Sequence, residues 1–541
     1  MIAFSKISKQ YGRQVLFVDA SFQLNTGEKV GLVGPNGSGK TTLFRLITGE
    51  EHADEGEVSV PRKLTLGYFR QEIDEMSGRS VLDEVIAGSG RLGDLHHELE
   101  SIQRGLSDPA RLGEQETLLE RFGEVQEEYQ HRGGYELEAR AREVLHGLGF
   151  EEDAIDGDAG LLSGGWKMRV SMAKVLLGKP EVLLMDEPTN HLDIESILWL
   201  EQFLRASPAS LLMTCHDRDF MNRVVDRIVE IDGGELVVYS GDYDFYERER
   251  LLREAQREAA HARQQAMLAK EQRFIERFSA HAAKAAQVQS RVKKLEKIET
   301  IELPKRRQAV RFDFRKPARS GDEVLSFSGI SKRYGDRRLY SDFDFLVRRG
   351  ERWCVMGRNG AGKTTLLKIA AGVLAPDEGE VKLGASLTPG YFAQQSLELL
   401  DPALTVLEQI EKDFPRESVA AARSLLGAFQ FSGDDVDKPI RALSGGERSR
   451  LVLARMLFHP PNFLILDEPT NHLDLATKEM LVSALSDFEG TMLFVSHDRA
   501  FLRGLANRVL EVGGDEPPHQ YPGSYTEYVA RTGREAPGVH A

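Results

Sequence analysis

An eight-residue sequence, Asp-Glu-Pro-Thr-Asn-His-Leu-Asp, occurs twice in this chain, at residues 186–193 and, 281 positions later, at 467–474. A repeat of this length does not arise by chance, so we predict two copies of one module. The chain has 541 residues, which is too many for one hydrophobic core and fits two domains. The same offset relates Ser163-Gly164-Gly165 to Ser444-Gly445-Gly446 and His216-Asp217-Arg218 to His497-Asp498-Arg499.

Each copy alternates short runs of valine, isoleucine and leucine with helix-like segments. This alternation is typical of α/β domains in which helices cover a parallel sheet. We therefore predict an α/β fold for both modules. The expected inner strands are 30–33, 182–185 and 211–214 in the first module and 353–356, 463–466 and 492–495 in the second.

A second pattern, G-x-x-x-x-G-K-T, also occurs once in each module, after an apolar strand and before a helix-like run. In that context glycines let backbone N–H groups converge on phosphate oxygens, while the lysine faces the β- and γ-phosphates and the threonine can bind Mg²⁺. We predict two sites for ATP and Mg²⁺. The assigned nucleotide-binding residues are Gly34, Asn36, Gly37, Ser38, Gly39, Lys40, Thr41 and Thr42, and Gly357, Asn359, Gly360, Ala361, Gly362, Lys363, Thr364 and Thr365.

Paired carboxylates, Asp186-Glu187 and Asp467-Glu468, end strands that should lie beside the phosphate loops. We predict that the aspartates complete the Mg²⁺ sphere with Thr41 and Thr364, and that the glutamates polarise the attacking water. Taken alone, an Asp-Glu pair at a strand end is more often a cap or a solvated turn. The repeated residues that follow favour the catalytic interpretation.

Three further pairs of side chains recur at matching positions. His216 and His497 follow strands about 30 residues after the carboxylates and are predicted to reach the γ-phosphate. Gln71 and Gln394, shortly after Gly-Tyr-Phe, are expected at Mg²⁺ and the attacking water. The last pair lies 23 residues before the first loop glycine and is expected to stack on adenine, with an ordinary surface or core tyrosine as the alternative: Tyr11 and Tyr334.

Two segments distinguish the modules. The interval from Gln71 to Ser163 is 92 residues and that from Gln394 to Ser444 is 50, so the first module has 42 more. We predict a projecting helical arm at about 92–131, made of two helices broken around 105–109; a packed insertion without its own role is the alternative.

A helical linker is expected at residues 243–320. From Tyr243 to Leu303 the chain lacks glycine and proline and is rich in helix-forming residues. One straight helix of this length would span roughly 90 Å, so we predict a hairpin with a turn near 279–282. The net charge of the chain is −15, yet residues 261–319 contain 16 lysines and arginines against 6 acidic residues. Basic character is thus concentrated in the linker.

The remaining composition indicates a cytoplasmic protein. No apolar run approaches the ~18 residues needed to span a bilayer, and the first residues lack a signal-peptide pattern. Cys215 and Cys354 lie in β-like apolar runs, so we expect two buried free thiols and no disulfide.

Leu-Ser-Gly-Gly, at 162–165 and 443–446, heads a predicted helix and would present another anion-binding N-terminus. The ordered set of phosphate loop, glutamine, Leu-Ser-Gly-Gly, Asp-Glu and histidine resembles the ATP-binding cassette proteins. Two cassettes, each with Asn-His-Leu-Asp and without a membrane domain, resemble the ABC-F subfamily of translation factors. The resemblance covers nearly the whole chain and places the cassettes at 1–242 and 321–529, with a flexible tail at 530–541.

This resemblance implies a head-to-tail cassette pair within one monomeric chain, with ATP held between the loop of one cassette and the Ser-Gly-Gly of the other. Two positions depart from the common pattern: Trp166 replaces a Gln or Glu, and Cys215 stands where Ser496 stands in the second copy. The implied groupings are Lys40 with Ser444 and Gly446, Lys363 with Ser163 and Gly165, and Asp193 and Asp474 across the interface.

The implied function is ATP hydrolysis by a factor that binds the ribosome in its ATP-bound closed form and leaves after hydrolysis. The linker would point toward the peptidyl-tRNA and contact rRNA and tRNA phosphates; a solvated helix face is the alternative. The basic residues concerned are Arg273, Arg277, Lys284, Arg291, Lys293, Lys294 and Lys297.

Three other functions compete with this one. The motor of a membrane transporter is disfavoured because a long charged helical segment joins the cassettes. A repair ATPase acting on branched DNA is disfavoured because no C-terminal coiled coil follows the second cassette. Ribosome protection against antibiotics is a minor alternative, since the linker tip looks short.

Overall fold

The structure, a computed structural model, describes residues 1–12, 14–35, 37–70, 75–76, 78–107, 114–131, 133–278, 315–335, 337–393, 400–431, 433–471, 473–513 and 517–536. Several predicted features lie outside these residues. They are Asn36, Gln71, Gln394, the linker turn at 279–282 and the basic residues from Lys284 to Lys297.

Each module contains a six-stranded sheet whose first five strands are parallel and whose last strand is an antiparallel edge. All six predicted inner strands are confirmed. In spatial order the strands are β5 (Leu66–Phe69), β6 (Val182–Asp186), β7 (Ser210–Thr214), β3 (Lys29–Val33), β8 (Arg227–Asp232) and β9 (Glu235–Tyr239), and then β14 (Pro389–Phe392), β15 (Phe463–Asp467), β16 (Thr491–Val495), β12 (Arg352–Met356), β17 (Arg508–Glu511) and β18 (His519–Tyr521).

A smaller antiparallel sheet of three strands packs on each large sheet. This sheet was not predicted from the sequence. Register shifts interrupt the first pair of strands in both modules, which disturbs the alternation of apolar and polar residues from which strands are recognised. The strands are β1 (Ile2–Tyr11), β2 (Gln14–Leu24) and β4 (Glu55–Ser59), and β10 (Glu323–Tyr334), β11 (Arg337–Arg348) and β13 (Glu378–Leu383).

Most helices cover the other face of each large sheet, whereas the helices at 40–48 and 363–370 lie on the same face as the antiparallel sheet. Among the residues that the structure describes, no helix has the length and apolar content to cross a bilayer. The helices are α1 (Lys40–Thr48), α2 (Val81–Ala87), α3 (Arg91–Ser107), α4 (Gln115–His131), α5 (Leu137–Gly147), α6 (Glu152–Ile155), α7 (Gly164–Leu177), α8 (Ile194–Ala206), α9 (Arg218–Val224), α10 (Tyr243–Phe278), α11 (Lys363–Ala370), α12 (Val406–Asp413), α13 (Val419–Ala428), α14 (Gly445–Phe458), α15 (Leu475–Ser486), α16 (Arg499–Leu505) and α17 (Tyr525–Thr532).

Strand β6 shows how the layers are held together. Val182 and Leu184 face the core shared with the antiparallel sheet and α1, whereas Leu183 and Met185 face the core formed with the helices. Because side chains alternate across a strand, a continuous apolar run buries both faces of the sheet. The carboxylate of Asp186, at the end of this run, is thereby fixed at the edge of the sheet.

The predicted arm helices are confirmed as α3 and α4. They run antiparallel, because Arg91 at the start of α3 binds Glu128 near the end of α4 at 2.7 Å, and Arg121 binds Glu98 at 2.7 Å. Apolar residues of both helices join the core of the first module. The pair is therefore a helical hairpin that is anchored in the core of the first module. Its connection, 108–113, lies outside the described residues.

The first part of the linker is the 36-residue helix α10, which begins at Tyr243 as predicted. Its first turns pack on the first module, with Tyr243 and Tyr246 buried. Residues 315–320, assigned to the linker, instead pack on the second module, where Arg315 binds Glu417 at 2.8 Å. The predicted boundary at 320 is thus wrong by several residues.

The predicted flexible tail at 530–541 also needs correction. Residues 530–532 belong to α17, and the chain then returns to the cassette interface, where the Glu535 carboxylate accepts from Arg499 at 3.0 Å and also pairs with Arg223. Ala536 is buried. Two arginines on different modules attract this segment, and residues 537–541 lie outside the described part. The thiols of Cys215 and Cys354 are free and buried, as expected.

Candidate active site

Both phosphate loops lie between a sheet strand and a helix N-terminus. The loop after β3 leads into α1, and the loop after β12 leads into α11. Gly39 and Gly362 precede the helices with φ values of 103° and 98°, a left-handed conformation that side chains disfavour. The first N–H groups of each helix thus point into the loop, where anions bind.

The loop lysines fold back over their own loops. Lys40 Nζ donates to Gly34 O at 2.8 Å, and Lys363 Nζ donates to Gly357 O at 2.6 Å. Burial lowers the pKa of both lysines, and nearby carboxylates oppose this shift. Each ammonium group is thus held inside the loop, where an anionic ligand would favour the charged form against the effect of burial.

The threonines and aspartates predicted to bind Mg²⁺ are adjacent in both modules. Thr41 Oγ1 donates to Asp186 Oδ2 at 2.9 Å, and Thr364 Oγ1 donates to Asp467 Oδ1 at 3.2 Å. Burial raises the pKa of Asp467. A hydroxyl and a carboxylate held together at the end of a strand are the hard oxygen ligands that Mg²⁺ prefers, so the residues fit this ion.

Each glutamate after these aspartates contacts the histidine of its own module. His216 N donates to Glu187 Oε2 at 3.1 Å, with His216 Nε2 3.3 Å from Oε1. The corresponding distances from His497 to Glu468 are 3.3 Å and 3.1 Å. Both glutamates have positive φ, 51° and 48°, an uncommon conformation for a residue with a side chain. The structure therefore brings the predicted catalytic residues together in pairs.

Burial shapes the electrostatics of these pairs. It raises the pKa of Glu468 to about 8, against the opposing charge of Lys363. It lowers the pKa of His497 to about 3, and it also lowers the pKa of His216. In the second module burial thus favours the neutral forms of both groups.

The two Leu-Ser-Gly-Gly motifs precede helices α7 and α14, as predicted, but their serines differ. Ser444 Oγ accepts from Glu447 N, and the Glu447 carboxylate accepts from Ser444 N, forming a capping box. Ser163 makes no side-chain cap bond, and Trp166, at the position of Glu447, lacks the carboxylate that completes the capping box. The Trp166 ring packs instead on Phe150, with the ring centres 4.7 Å apart.

The second phosphate loop faces the first Leu-Ser-Gly-Gly motif across the cassette interface. Asn359 N donates to Asp193 Oδ2 at 3.0 Å, and Arg358 Nε lies 2.5 Å from Glu195 Oε2. A cavity of about 240 Å³ lies between the modules. Its lining includes Ser163, Gly165 and Trp166 from the first module and Lys363, Thr364, Asp467, Glu468 and His497 from the second.

The opposite grouping around Lys40 is described in part. Burial lowers the pKa of Lys40, and the charge of Asp474, from the second module, is among those that oppose this shift. Asp474 therefore lies near the first loop. The placement of Ser444 and Gly446 opposite Lys40 stays a prediction. Tyr11 and Tyr334 are exposed, and each has a lysine ammonium within 6 Å of its ring centre, 5.4 Å and 5.8 Å away. Their adenine contact also stays a prediction.

Arg169 is a cavity residue that the sequence analysis missed. Its buried guanidinium donates to His191 O at 2.8 Å and to Asp193 Oδ2 at 3.3 Å, so it fixes the segment after the repeated Asp-Glu. The 281-residue offset relates Arg169 to Arg450, and this repetition is the signal that would have identified it.

Comparison with known proteins identifies the family of the chain. A family model described as ABC transporter matches residues 17–190 and 340–471, and a second with the same description matches 229–314. The chain is 37% identical over 528 residues to the probable ATP-binding protein YheS of Escherichia coli (strain K12), covering 98% of this chain and 81% of the relative. It is 34% identical over 538 residues to ABC transporter F family member 5 of Arabidopsis thaliana, covering 98% and 77%.

Solved structures share the fold at lower identity. An archaeal ribosome recycling factor, aABCE1, in complex with a ribosomal stalk protein, aligns with a TM-score of 0.60 and 20% identity, covering 98% of this chain and 94% of that one. A structure titled RNase-L Inhibitor aligns with a TM-score of 0.59 and 20% identity, covering 98% and 93%. These likenesses show the tandem-cassette fold. With two matched cassettes and relatives of this identity along its length, the chain belongs to the ABC-F family of ATP-binding cassette proteins.

Proposed function

We propose that this protein is an ATPase that binds the ribosome in its ATP-bound closed form and leaves after hydrolysis. The observation that carries the ATPase part is the cavity between the modules. It joins the lysine, the metal-binding pair and the Glu468–His497 pair of the second module to Ser163 and Gly165 of the first. A site completed by both modules makes ATP binding and cassette closure the same event.

The proposed roles follow from the side chains. Lys363 and the N–H groups of α11 bind phosphate oxygens, and Thr364 with Asp467 would hold Mg²⁺, which neutralises phosphate charge when bound. Glu468 orients the attacking water, and His497 stabilises the γ-phosphate. The first site would use the corresponding Lys40, Thr41, Asp186, Glu187 and His216. The predicted Asn36 would add to the phosphate-binding loop of the first site, and Gln71 and Gln394 would complete the coordination of Mg²⁺ in the two sites.

We propose that the first cassette comprises residues 1–242 and that the second extends from about residue 315 to residue 536, because residues 315–320 and 530–536 pack on it. Both halves of the site come from one chain, so a second copy is not required. We therefore propose that the working unit is a monomer. We also propose that it acts in the cytoplasm.

Ribosome binding is supported by the linker and by the fold neighbours. One neighbour, with a TM-score of 0.59 and 20% identity, is titled as a model of ribosome-bound archaeal Pelota and ABCE1. Helix α10 has 36 residues, about 54 Å at the α-helical rise, and reaches away from a root buried in the first module. Arg273 is exposed near its end, and further basic residues follow in the sequence. We propose that they contact rRNA and tRNA phosphates near the peptidyl-tRNA.

The test is co-sedimentation of the Glu187→Gln/Glu468→Gln chain with purified ribosomes, in ATP and in ADP, over a salt series. Removing both carboxylates should abolish turnover and keep ATP binding, which traps the closed form. We expect ATP-dependent pelleting that weakens as salt rises. The matched control adds Lys40→Ala and Lys363→Ala, which should remove the dependence on ATP.

Two results would overturn the proposal in different ways. Unchanged ATP turnover in the Glu187→Gln/Glu468→Gln chain would refute the assigned catalysis. A chain that retains ATP yet stays in the supernatant would refute ribosome binding. Branched DNA would then be the next ligand to test.

A further inference from the structure

Two short segments carry the histidines of the sites and meet at the cassette interface. The first histidine segment, 215–217, joins β7 to α9, and the second, 496–498, joins β16 to α16. Each is tied to the glutamate of its own site through the N–H of its histidine. A link between these segments would therefore connect the two proposed catalytic glutamates.

Lys478, in α15 of the second module, forms such a link. Its Nζ donates to His216 O at 3.1 Å, across the interface, and lies 2.9 Å from Asp498 Oδ2. The side chain is 16% exposed and that of Asp498 is 9% exposed. A largely buried ammonium with these two partners holds both histidine segments at once.

The local charges support this arrangement. Burial opposes the charged form of Lys478, but the Asp498 carboxylate raises the Lys478 pKa above its usual value. The same ammonium lowers the pKa of Asp498, although burial acts in the opposite direction. Both groups are therefore charged at neutral pH, and hydrogen bonds to charged groups are the stronger kind.

In the part of the chain that the structure describes, the link has no counterpart on the other side of the pseudo-symmetric pair. The 281-residue offset places Ile197 at the position of Lys478, and isoleucine has no hydrogen-bond donor. Arg499, beside Asp498, reaches the Asp217 carboxylate at 3.5 Å and reinforces the same contact. Neither the site roles nor the family pattern assigns a function to Lys478.

We propose that Lys478 is a positioning residue that couples the two ATP sites, by fixing the segment of His216 against the segment of His497. This inference rests on the proposed ATPase function. Loss of hydrolysis at one site then alters the rate at the other, and the effect passes through this lysine.

The test is a double-mutant cycle on the steady-state ATPase rate of the full chain. Glu187→Gln is measured with and without Lys478→Met, which keeps most of the apolar stem and removes the donor. The quantity compared is the factor by which Glu187→Gln slows hydrolysis, measured once in the chain with Lys478 and once in the chain with Lys478→Met. If the sites are coupled through Lys478, these two factors differ about fivefold or more, which is the usual scale of coupling between sites. Lys478→Arg, which keeps a donor, should restore the original factor.

Arg503→Met is the matched control. Arg503 forms another ion pair across the cassettes, with Asp219, and its other hydrogen bond goes to Arg499 O, outside both histidine segments. It should leave the factor for Glu187→Gln unchanged. If Lys478→Met fails to fold, Lys478→Met/Asp498→Asn removes the unpaired buried carboxylate and keeps a side chain that can cap α16.

The inference is overturned if Glu187→Gln slows hydrolysis by the same factor in the chain with Lys478 and in the chain with Lys478→Met. The proposed function fails by a different result, an inactive unmodified chain. In that case the binding of a fluorescent ATP analogue to both sites is measured in place of the hydrolysis rate. Cooperative binding that is lost in Lys478→Met supports coupling, and unchanged or absent cooperativity overturns it.

Discussion

At the scale of single residues, Arg169 organises the interface side of the first module. Its guanidinium donates to Leu148 O at 2.5 Å and to His191 O at 2.8 Å, and it pairs with Asp193, whose other oxygen caps α8. Burial raises the pKa of Asp193, but Arg169 and other donors outweigh this and hold it below its usual range. Arg169 thus stabilises the charged form of the Asp193 carboxylate, which accepts a hydrogen bond from the second phosphate loop.

We expect Arg169→Leu to lower the free energy of unfolding of the first module by about 3 kcal/mol, because it leaves a buried carboxylate and two carbonyls without their partner. Urea denaturation measures this change. Arg205→Leu, on the exposed side of α8, is the control and should change the free energy by less than about 0.5 kcal/mol. A similar small effect for Arg169→Leu would show that Asp193 does not depend on it.

At the scale of helices and strands, the start of α7 differs from the start of α14. The Ser444 hydroxyl is used in a capping box, whereas the Ser163 hydroxyl makes no cap bond and lines the cavity. A serine that caps a helix stabilises the fold, and one left free is available to a ligand. The two copies of the motif therefore divide these tasks differently.

The expected outcome is a stability loss of about 1 kcal/mol for Ser444→Ala and almost none for Ser163→Ala, since only the first removes a helix cap. Paired urea titrations of the two variants give the comparison, each module followed by its own tryptophan fluorescence. Equal losses would contradict the difference between the caps. ATP affinity at the second site should fall for Ser163→Ala.

The elements that the sequence predicted are those with a strong local pattern. Residues 182–185 and 463–466 are continuous apolar runs, and α10 begins at Tyr243 where glycine and proline cease. The antiparallel sheets were missed because register shifts break their alternation. The tail was mispredicted because the arginines that hold Glu535 lie far away in sequence, Arg223 by 312 positions.

The same distinction applies to the site. Residues within repeated motifs, such as Glu187 and His216, were predicted because two copies carry the same chemistry at one spacing. Lys478 and Arg358 were not, because their partners lie in the other module and the repeat holds Ile197 and Pro35 at their positions. Contacts that break the symmetry of a repeat leave no repeated signal.

At the scale of the whole molecule, the C-terminal segment closes the interface. The Glu535 carboxylate pairs with Arg499 of the second module and Arg223 of the first, and Arg499 also pairs with Glu201. The Arg499 side chain is 1% exposed. Residues 533–536 therefore act as a clasp that contacts both cassettes.

Deletion of residues 533–541 should lower the melting temperature by several degrees, because it removes the acidic partner shared by two arginines. The control is deletion of residues 537–541 alone, which keeps Glu535. Differential scanning calorimetry compares the three chains. Equal melting temperatures for both deletions would argue against a clasp at Glu535.

The most direct measurement of a site shared by the cassettes is the number of ATP molecules retained per chain after gel filtration of Glu187→Gln/Glu468→Gln, with and without Ser163→Arg. Because Ser163 lies in the first module and Lys363 in the second, only a shared site makes the second phosphate loop sensitive to this change. We expect two retained ATP molecules, falling to at most one with Ser163→Arg. Two ATP molecules in both chains would contradict a site built between the cassettes.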